Sequence, residues 1–107
     1  MIPSITPKQL KIELEGPNPP VVLDVREAHE LEISRLPYEV VHIPMGELAF
    51  RLGELDPASN LVVLCRVGGR SGQVTRYLLQ HGFSTVRNID GGINRWSSTV
   101  DPTLKQY

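Results

Sequence analysis

Short apolar runs alternate along the chain with segments whose apolar residues recur at helical spacing. The runs predict strands at residues 21–25, 40–43, 61–64 and 85–89. The intervening patterns predict helices at residues 7–15, 26–33, 45–55 and 71–81, and one more after residue 90. Strands that alternate with helices imply parallel βαβ units with right-handed crossovers. We therefore expect an α/β fold, in which one small parallel sheet is covered by helices on both faces.

Capping signals locate the ends of the first and last helices. Thr6 is a predicted N-cap, because Pro7 suits the first turn and Gln9 would complete a capping box. Gly16 should end this helix. Asp90 is the predicted cap of the last helix, so both helices should begin directly after a polar residue.

Apolar residues at helical spacing predict core positions rather than a cofactor site. The predicted core positions of the helices are Leu10, Leu14, Leu48, Leu52, Leu55, Val74, Tyr77, Leu78, His81 and Ile93. Trp96 is predicted to be a packing anchor of the last helix and not a platform for a ligand.

Composition bounds the organisation of the chain. Its 107 residues form one predicted domain over residues 1–107, and the formal net charge of −1 gives no electrostatic argument for binding nucleic acid or a membrane surface. The one cysteine forms no internal disulfide, and no apolar run is long enough for a signal segment or a membrane span. We expect a reducing, cytoplasmic setting.

Cys65 stands where the most apolar predicted strand ends, and a glycine-bearing loop follows it. We call residues 65–71 the cysteine loop. Reactive groups collect at the carboxyl ends of parallel strands, so Cys65 is a candidate nucleophile. Gly68 and Gly69 allow the backbone to turn successive N–H groups inward as an anion-binding nest.

Three positive features of the cysteine loop favour the thiolate of Cys65 over its thiol. They are the inward N–H groups, the amino end of a helix expected to begin near Ser71, and the side chains of Arg66 and Arg70. The alternative is that Cys65 is a small buried hydrophobic residue, as free cysteines often are. Two glycines and two arginines in the next five positions favour chemistry.

Three motifs of the chain resemble those of a single rhodanese (sulfurtransferase) domain, and the likeness covers essentially the whole chain. The motifs are Cys65-x-x-x-x-Arg70-Ser71, Leu23-Asp24-Val25-Arg26-Glu27 and Asp90-Gly91-Gly92-Ile93-Asn94-Arg95-Trp96. The resemblance implies the three-layer α/β rhodanese fold. It also implies catalysis by a Cys65 persulfide, with Asp24 and Arg26 as structural support. The implied substrate-binding residues are Arg66, Val67, Gly68, Gly69, Arg70 and Ser71.

The resemblance implies a small anionic sulfur donor, such as thiosulfate, or a protein persulfide such as that of a cysteine desulfurase. Residues 43–48 and the tail that ends in Tyr107 are most similar to the rhodanese domain of molybdopterin- and thiamin-pathway adenylyltransferase–sulfurtransferases. This likeness implies a ubiquitin-like sulfur-carrier protein as acceptor. The alternative is a general sulfurtransferase that passes sulfur from thiosulfate to cyanide or another small acceptor.

Two other classes of function compete with sulfur transfer. A phosphatase would also use a Cys–Arg loop, but phosphatases of this kind place five residues between the cysteine and the arginine to ring a tetrahedral anion. This chain places four between Cys65 and Arg70. A non-catalytic rhodanese-like module is the second alternative, but such modules usually lack the cysteine. The sequence therefore favours an enzyme of the sulfurtransferase type over both alternatives.

Residues 34–41 are bulkier and poorer in glycine than the corresponding segment of many rhodaneses. Within them, Arg35 and Tyr38 either line the rim of the active site or are solvated. The histidines lack metal-ligand spacing, so we assign no metal, and the chemistry needs no cofactor. A pairing of His42 with Cys65 is left open, although the loop activates the thiol without a base.

Overall fold

A computed structural model of the chain describes residues 2–107. The structure is a parallel sheet of five strands in the order β1-β5-β4-β2-β3. The strands are β1 (Ser4–Ile5), β2 (Val21–Asp24), β3 (Val41–His42), β4 (Leu61–Leu64) and β5 (Val86–Ile89). The helices are α1 (Pro7–Leu14), α2 (Ala28–Ile33), α3 (Leu48–Arg51), α4 (Gly69–Gln80) and α5 (Gly92–Thr99). The expected α/β class with one parallel sheet is confirmed.

Strand β4 occupies the centre of the sheet, between β2 and β5. All four of its residues are buried, as a continuous apolar run predicts for a strand covered on both faces. Asp24 pairs with Leu64 in register, so the residues after β2 and β4 leave the same edge of the sheet side by side. This shared carboxyl edge brings Arg26 and Cys65 into one region.

The sheet separates two hydrophobic clusters, and β4 contributes to both because its side chains alternate between the faces. Leu61, Val63 and Cys65 join the cluster that includes Val74 and Leu78 of α4. The opposite cluster contains Val62 and Leu64 of β4, Leu10 of α1, and Ile93 and Trp96 of α5. Trp96 is 1% exposed, which confirms it as a packing anchor.

The first helix follows its predicted cap. The Thr6 hydroxyl accepts a 3.2 Å hydrogen bond from the amide of Gln9, and Pro7 is the first helical residue. The helix ends at Leu14, with Glu15 as its C-cap. Strand β1 was not predicted, because its two residues are too short to form a hydrophobic pattern.

The single helix predicted over residues 45–55 is wrong. The segment consists of a 3₁₀ turn (Met45–Glu47), the short helix α3 and a second 3₁₀ turn (Leu52–Glu54). A glycine lies inside each 3₁₀ turn, and glycine weakens a continuous α-helix by about 1 kcal/mol relative to alanine. Leu48 and Leu55 are buried as predicted, whereas Leu52 is half-buried.

The predicted start of the last helix also needs correction. Asp90 is exposed, and the N-cap of α5 is Gly91 in the left-handed conformation (φ +75°). The amide of Asp90 donates to the carbonyl of Ile5 at 2.9 Å, so Asp90 still continues the pairing of β5 with β1. The chain can turn into a helix only after that pairing ends.

The end of α4 also differs from its prediction. His81 was expected in the core but is exposed, because it is the C-cap residue and has already left the helical conformation. Its ring stacks on that of half-buried Tyr77, with 4.0 Å between the ring centroids. Val74 and Leu78 carry the buried face of the helix.

Candidate active site

The sulfur of Cys65 lies inside the cysteine loop, directly after β4. Cys65 is 1% exposed. Its Sγ accepts a 3.0 Å hydrogen bond from the amide of Gly68 and lies 3.2 Å from the hydroxyl oxygen of Ser71. The loop therefore curls around the sulfur, and one backbone amide of the expected nest, that of Gly68, points at it.

Gly68 makes this curl because its backbone is left-handed (φ +105°). That conformation turns its amide toward Sγ and makes Gly68 the N-cap of α4. The helix begins at Gly69, two positions before the expected start at Ser71. Its 12 residues direct the positive end of their dipole at the cysteine loop, which favours a negative charge there.

Ser71 connects the sulfur to β5. Its hydroxyl is buried and donates a hydrogen bond to Oδ1 of Asn88, which leaves its oxygen to accept from the Cys65 thiol. When the thiol loses its proton, the same hydroxyl can rotate and donate to the sulfur. Sequence reasoning missed Asn88. The feature that could have indicated Asn88 is its position, because it is a polar residue near the carboxyl end of a parallel strand.

Arg70 is bound by an acidic partner that the sequence did not indicate. Its two terminal nitrogens donate to the two carboxylate oxygens of Glu30 at 2.7 and 2.8 Å. The Arg70 guanidinium lowers the pKa of Glu30 from its ordinary 4.5 to about 2. This bidentate pair fixes the orientation of Arg70 and joins the first turn of α4 to α2.

Arg66 is exposed and has different partners. Its Nε donates to the main-chain oxygen of Tyr107, and its guanidinium carbon lies 5.4 Å from the centroid of the Tyr107 ring. Val67 is the next residue of the cysteine loop, and 56% of it is exposed. Gly69 is also exposed, so the loop presents Arg66, Val67 and Gly69 to an approaching molecule.

Asp24 and Arg26 form a buried ion pair, with 2.8 Å between Nη2 and Oδ2. Arg26 also donates to the carbonyl of Ser34 at 2.8 Å and to the hydroxyl of Tyr107 at 2.9 Å. The pair therefore shapes the segment after β2, which fits the structural role that the resemblance implied.

Two further residues, His42 and Tyr38, lie outside the immediate surroundings of the sulfur. Within residues 2–107, the sulfur of Cys65 is hydrogen-bonded to Gly68 and Ser71 and not to His42, whose Nε2 lies 2.7 Å from the carbonyl oxygen of Arg26. Tyr38 packs against Trp96 on the opposite face and donates to Glu15, so it does not belong to the rim.

Two features, a metal site and a membrane-spanning helix, are absent from the described part of the chain. No three acidic, histidine or cysteine side chains among residues 2–107 come together as a metal site requires. None of the helices there has both the length and the apolar character to cross a bilayer.

Comparisons with known proteins show the family to which the chain belongs. Residues 6–99 match the family model of the rhodanese-like domain. The chain is 36% identical over 101 residues to the "Putative sulfurtransferase YtwF" of Bacillus subtilis, covering 94% of this chain and 96% of that protein. It is 31% identical over 119 residues to the adenylyltransferase and sulfurtransferase MOCS3 of Arabidopsis thaliana, covering 96% of this chain and 25% of that protein.

A solved structure is similar over nearly the whole chain. The thiosulfate sulfurtransferase of Pseudomonas aeruginosa superimposes with a TM-score of 0.83 at 27% identity, over 98% of this chain and 20% of that one. The chain thus spans less than a third of the length of several proteins that it matches. With a matching family model over most of its length and relatives above 30% identity, the chain belongs to the rhodanese-like domain family.

Proposed function

We propose that this domain carries sulfane sulfur as a persulfide on Cys65, taking it from an anionic donor and passing it to an external acceptor. One observation carries the proposal: the Gly68 amide points at Sγ from 3.0 Å, inside a loop that opens the helix α4. A hydrogen-bond donor in that position stabilises the Cys65 thiolate. After sulfur transfer, it also stabilises the charge on the added sulfur atom.

The first half-reaction is a displacement at sulfur. The Cys65 thiolate attacks the outer sulfur of thiosulfate, a new S–S bond forms, and the old S–S bond breaks with its electron pair leaving on sulfite. A protein persulfide, such as that of a cysteine desulfurase, would react in the same way and leave as a thiolate. In each case Cys65 becomes a persulfide anion, and no outside oxidant or reductant is needed.

The second half-reaction needs an acceptor from outside the domain, because the chain has one cysteine and cannot resolve the persulfide internally. Cyanide would take the outer sulfur as thiocyanate and regenerate the thiolate. The adenylyltransferase–sulfurtransferase relative supports a second acceptor, the adenylated C-terminus of a ubiquitin-like sulfur carrier. There the outer sulfur attacks the acyl carbon and AMP leaves. Two external thiols then reduce the S–S bond: they leave as a disulfide, the thiocarboxylate is released and the Cys65 thiol is restored.

Intact-mass analysis tests the covalent intermediate. Treatment with thiosulfate should add one sulfur atom to the protein, and the increment should disappear with dithiothreitol and in Cys65→Ser. An unchanged mass, with a thiol that still reacts with iodoacetamide, would contradict sulfur transfer. A thiol that resists iodoacetamide in the folded protein would instead favour a binding module, and Cys65-dependent turnover of p-nitrophenyl phosphate would favour a phosphatase.

A further inference from the structure

Tyr107 lies against the cysteine loop although it is 41 positions from Arg66. The side chain of Asn94 in α5 binds both backbone groups of Tyr107. Its Nδ2 donates to the Tyr107 main-chain oxygen at 3.0 Å, and the Tyr107 backbone amide donates to its Oδ1 at 3.3 Å. The segment that follows α5 therefore returns to the carboxyl edge of the sheet and is attached there.

The Tyr107 hydroxyl attaches the other end of the side chain. It donates to Oε1 of Glu30 and accepts from Nη1 of Arg26, each at 2.9 Å. Burial raises the pKa of this hydroxyl above its ordinary 10.0, so it keeps the proton that it donates. The ring is thus held at both ends in one orientation, and its face is presented to the Arg66 guanidinium.

The two arginines of the cysteine loop differ in the donors they have left. Arg70 gives both of its terminal nitrogens to Glu30. Arg66 uses only Nε, for Tyr107, and among residues 2–107 no hydrogen bond engages its two terminal nitrogens. Arg66 is also exposed at the opening of the loop. Its free N–H groups have the planar fork geometry that suits the oxygens of a sulfonate group.

We propose that Tyr107 is a positioning residue for donor binding: its ring face and main-chain oxygen hold the Arg66 guanidinium at the opening of the cysteine loop, where its terminal nitrogens bind the oxygens of an anionic sulfur donor. This inference rests on the proposed sulfur transfer. It assigns donor binding mainly to Arg66, and it gives residues beyond α5 a part in the active site.

Two substitutions separate the ring from the hydroxyl. Tyr107→Phe and Tyr107→Leu both lose the hydroxyl and keep an apolar body, but only Tyr107→Leu loses the aromatic face. A cation–π contact at an exposed site is worth about 0.5–1 kcal/mol, so Tyr107→Leu should raise the KM for thiosulfate about two- to fivefold. Tyr107→Phe should raise it less, and kcat with cyanide should change less than KM in both. Tyr77→Leu, which removes another half-buried tyrosine, is the matched control.

A double-variant cycle with Arg66→Gln then decides whether Tyr107 acts through Arg66. If it does, Tyr107→Leu raises the KM in the native background and has no further effect in Arg66→Gln. An equal increase in both backgrounds, or an increase in Tyr107→Phe as large as in Tyr107→Leu, would overturn the proposal.

If Tyr107→Leu does not fold, Asn94→Ala can replace it in the double-variant cycle, because it releases the Tyr107 backbone without changing the ring. It should raise the KM in the native background and not in Arg66→Gln, and the opposite result would again overturn the proposal. Failure of the proposed function looks different, because the native protein itself would then gain no sulfur from thiosulfate.

Discussion

The amide of Ile93 donates a 3.0 Å hydrogen bond to the carbonyl oxygen of Cys65, and the amide of Asn94 donates one of 3.1 Å to the carbonyl of Arg66. The first turn of α5 therefore fixes the backbone from which the cysteine loop starts. Gly92 allows this approach: a Cβ there would lie 2.5 Å from the Cys65 carbonyl oxygen, and its φ is +61°.

Gly92→Ala should destabilise the fold by at least about 2 kcal/mol, because it combines left-handed strain with a collision against backbone atoms that cannot move aside. Chemical denaturation measures this loss. Gly53→Ala is the control, since nothing lies within 4 Å of a Cβ at Gly53 and its φ is not positive. Equal stability of the two variants would show that α5 can shift away from the loop without cost.

Asp24→Asn should cost about 3 to 5 kcal/mol of unfolding free energy, because it leaves the buried guanidinium of Arg26 without its counter-charge. Urea titration of the native protein and the variant measures the difference. The control is Glu54→Gln, which removes an exposed carboxylate from Arg51 and should change stability little. A small loss in Asp24→Asn would show that hydrogen bonds of Arg26 to backbone carbonyls suffice.

The sequence predicted those parts of the fold that depend on local patterns. The apolar runs of β2 and β4 and the cap at Thr6 are local signals, and the structure contains all three. The position of Cys65 at the carboxyl end of β4 followed from the same pattern, because strand direction in a parallel sheet determines which edge a residue occupies.

The contacts around the cysteine loop could not be predicted in this way, because they join distant residues. Arg70 and Glu30 are 40 positions apart. Arg66 and Tyr107 meet only because α5 and the segment after it fold back to the carboxyl edge. The resemblance implied that both arginines bind substrate. The structure distinguishes them by their partners, which no spacing in the sequence reveals.

The Glu30–Arg70 pair predicts a specific dependence of stability on pH. The pKa of Glu30 falls to about 2 on folding, so its contribution is complete above the unfolded value of 4.5 and is lost as the pH falls toward 2. Glu30→Gln should therefore remove on the order of 2 to 3 kcal/mol of the stability difference between about pH 7 and about pH 2. Denaturation curves at several pH values measure it.

Other carboxylates also titrate in this range, so the prediction is tested by comparing Glu30→Gln with a control variant. Glu32→Gln changes an exposed carboxylate on the same helix that takes part in none of the ion pairs among residues 2–107. It should retain the native pH dependence. If Glu30→Gln retained it as well, the bidentate contact with Arg70 would not persist in solution.

The two loop glycines should respond differently to substitution, because only Gly68 has a left-handed backbone, with φ at +105°. Gly68 needs its positive φ to direct its amide at the sulfur, so Gly68→Ala should slow persulfide formation from thiosulfate with any acceptor present. At Gly69 no atom lies within 4 Å of a Cβ, and φ is not positive. Gly69→Leu should therefore fold and form the persulfide.

Gly69→Leu should then discriminate between acceptors by size. Its exposed side chain would stand beside the opening of the loop, where cyanide can still reach the outer sulfur but the tail of a carrier protein meets an obstacle. A steric cost of about 1 kcal/mol or more would slow transfer to an adenylated carrier at least about fivefold, with little effect on thiocyanate formation. Persulfidated native and variant protein would each be offered both acceptors together, and the ratio of thiocarboxylate to thiocyanate measured. An unchanged ratio would mean that the carrier tail does not approach past Gly69, and native protein that forms no thiocarboxylate at all would reject the carrier as acceptor.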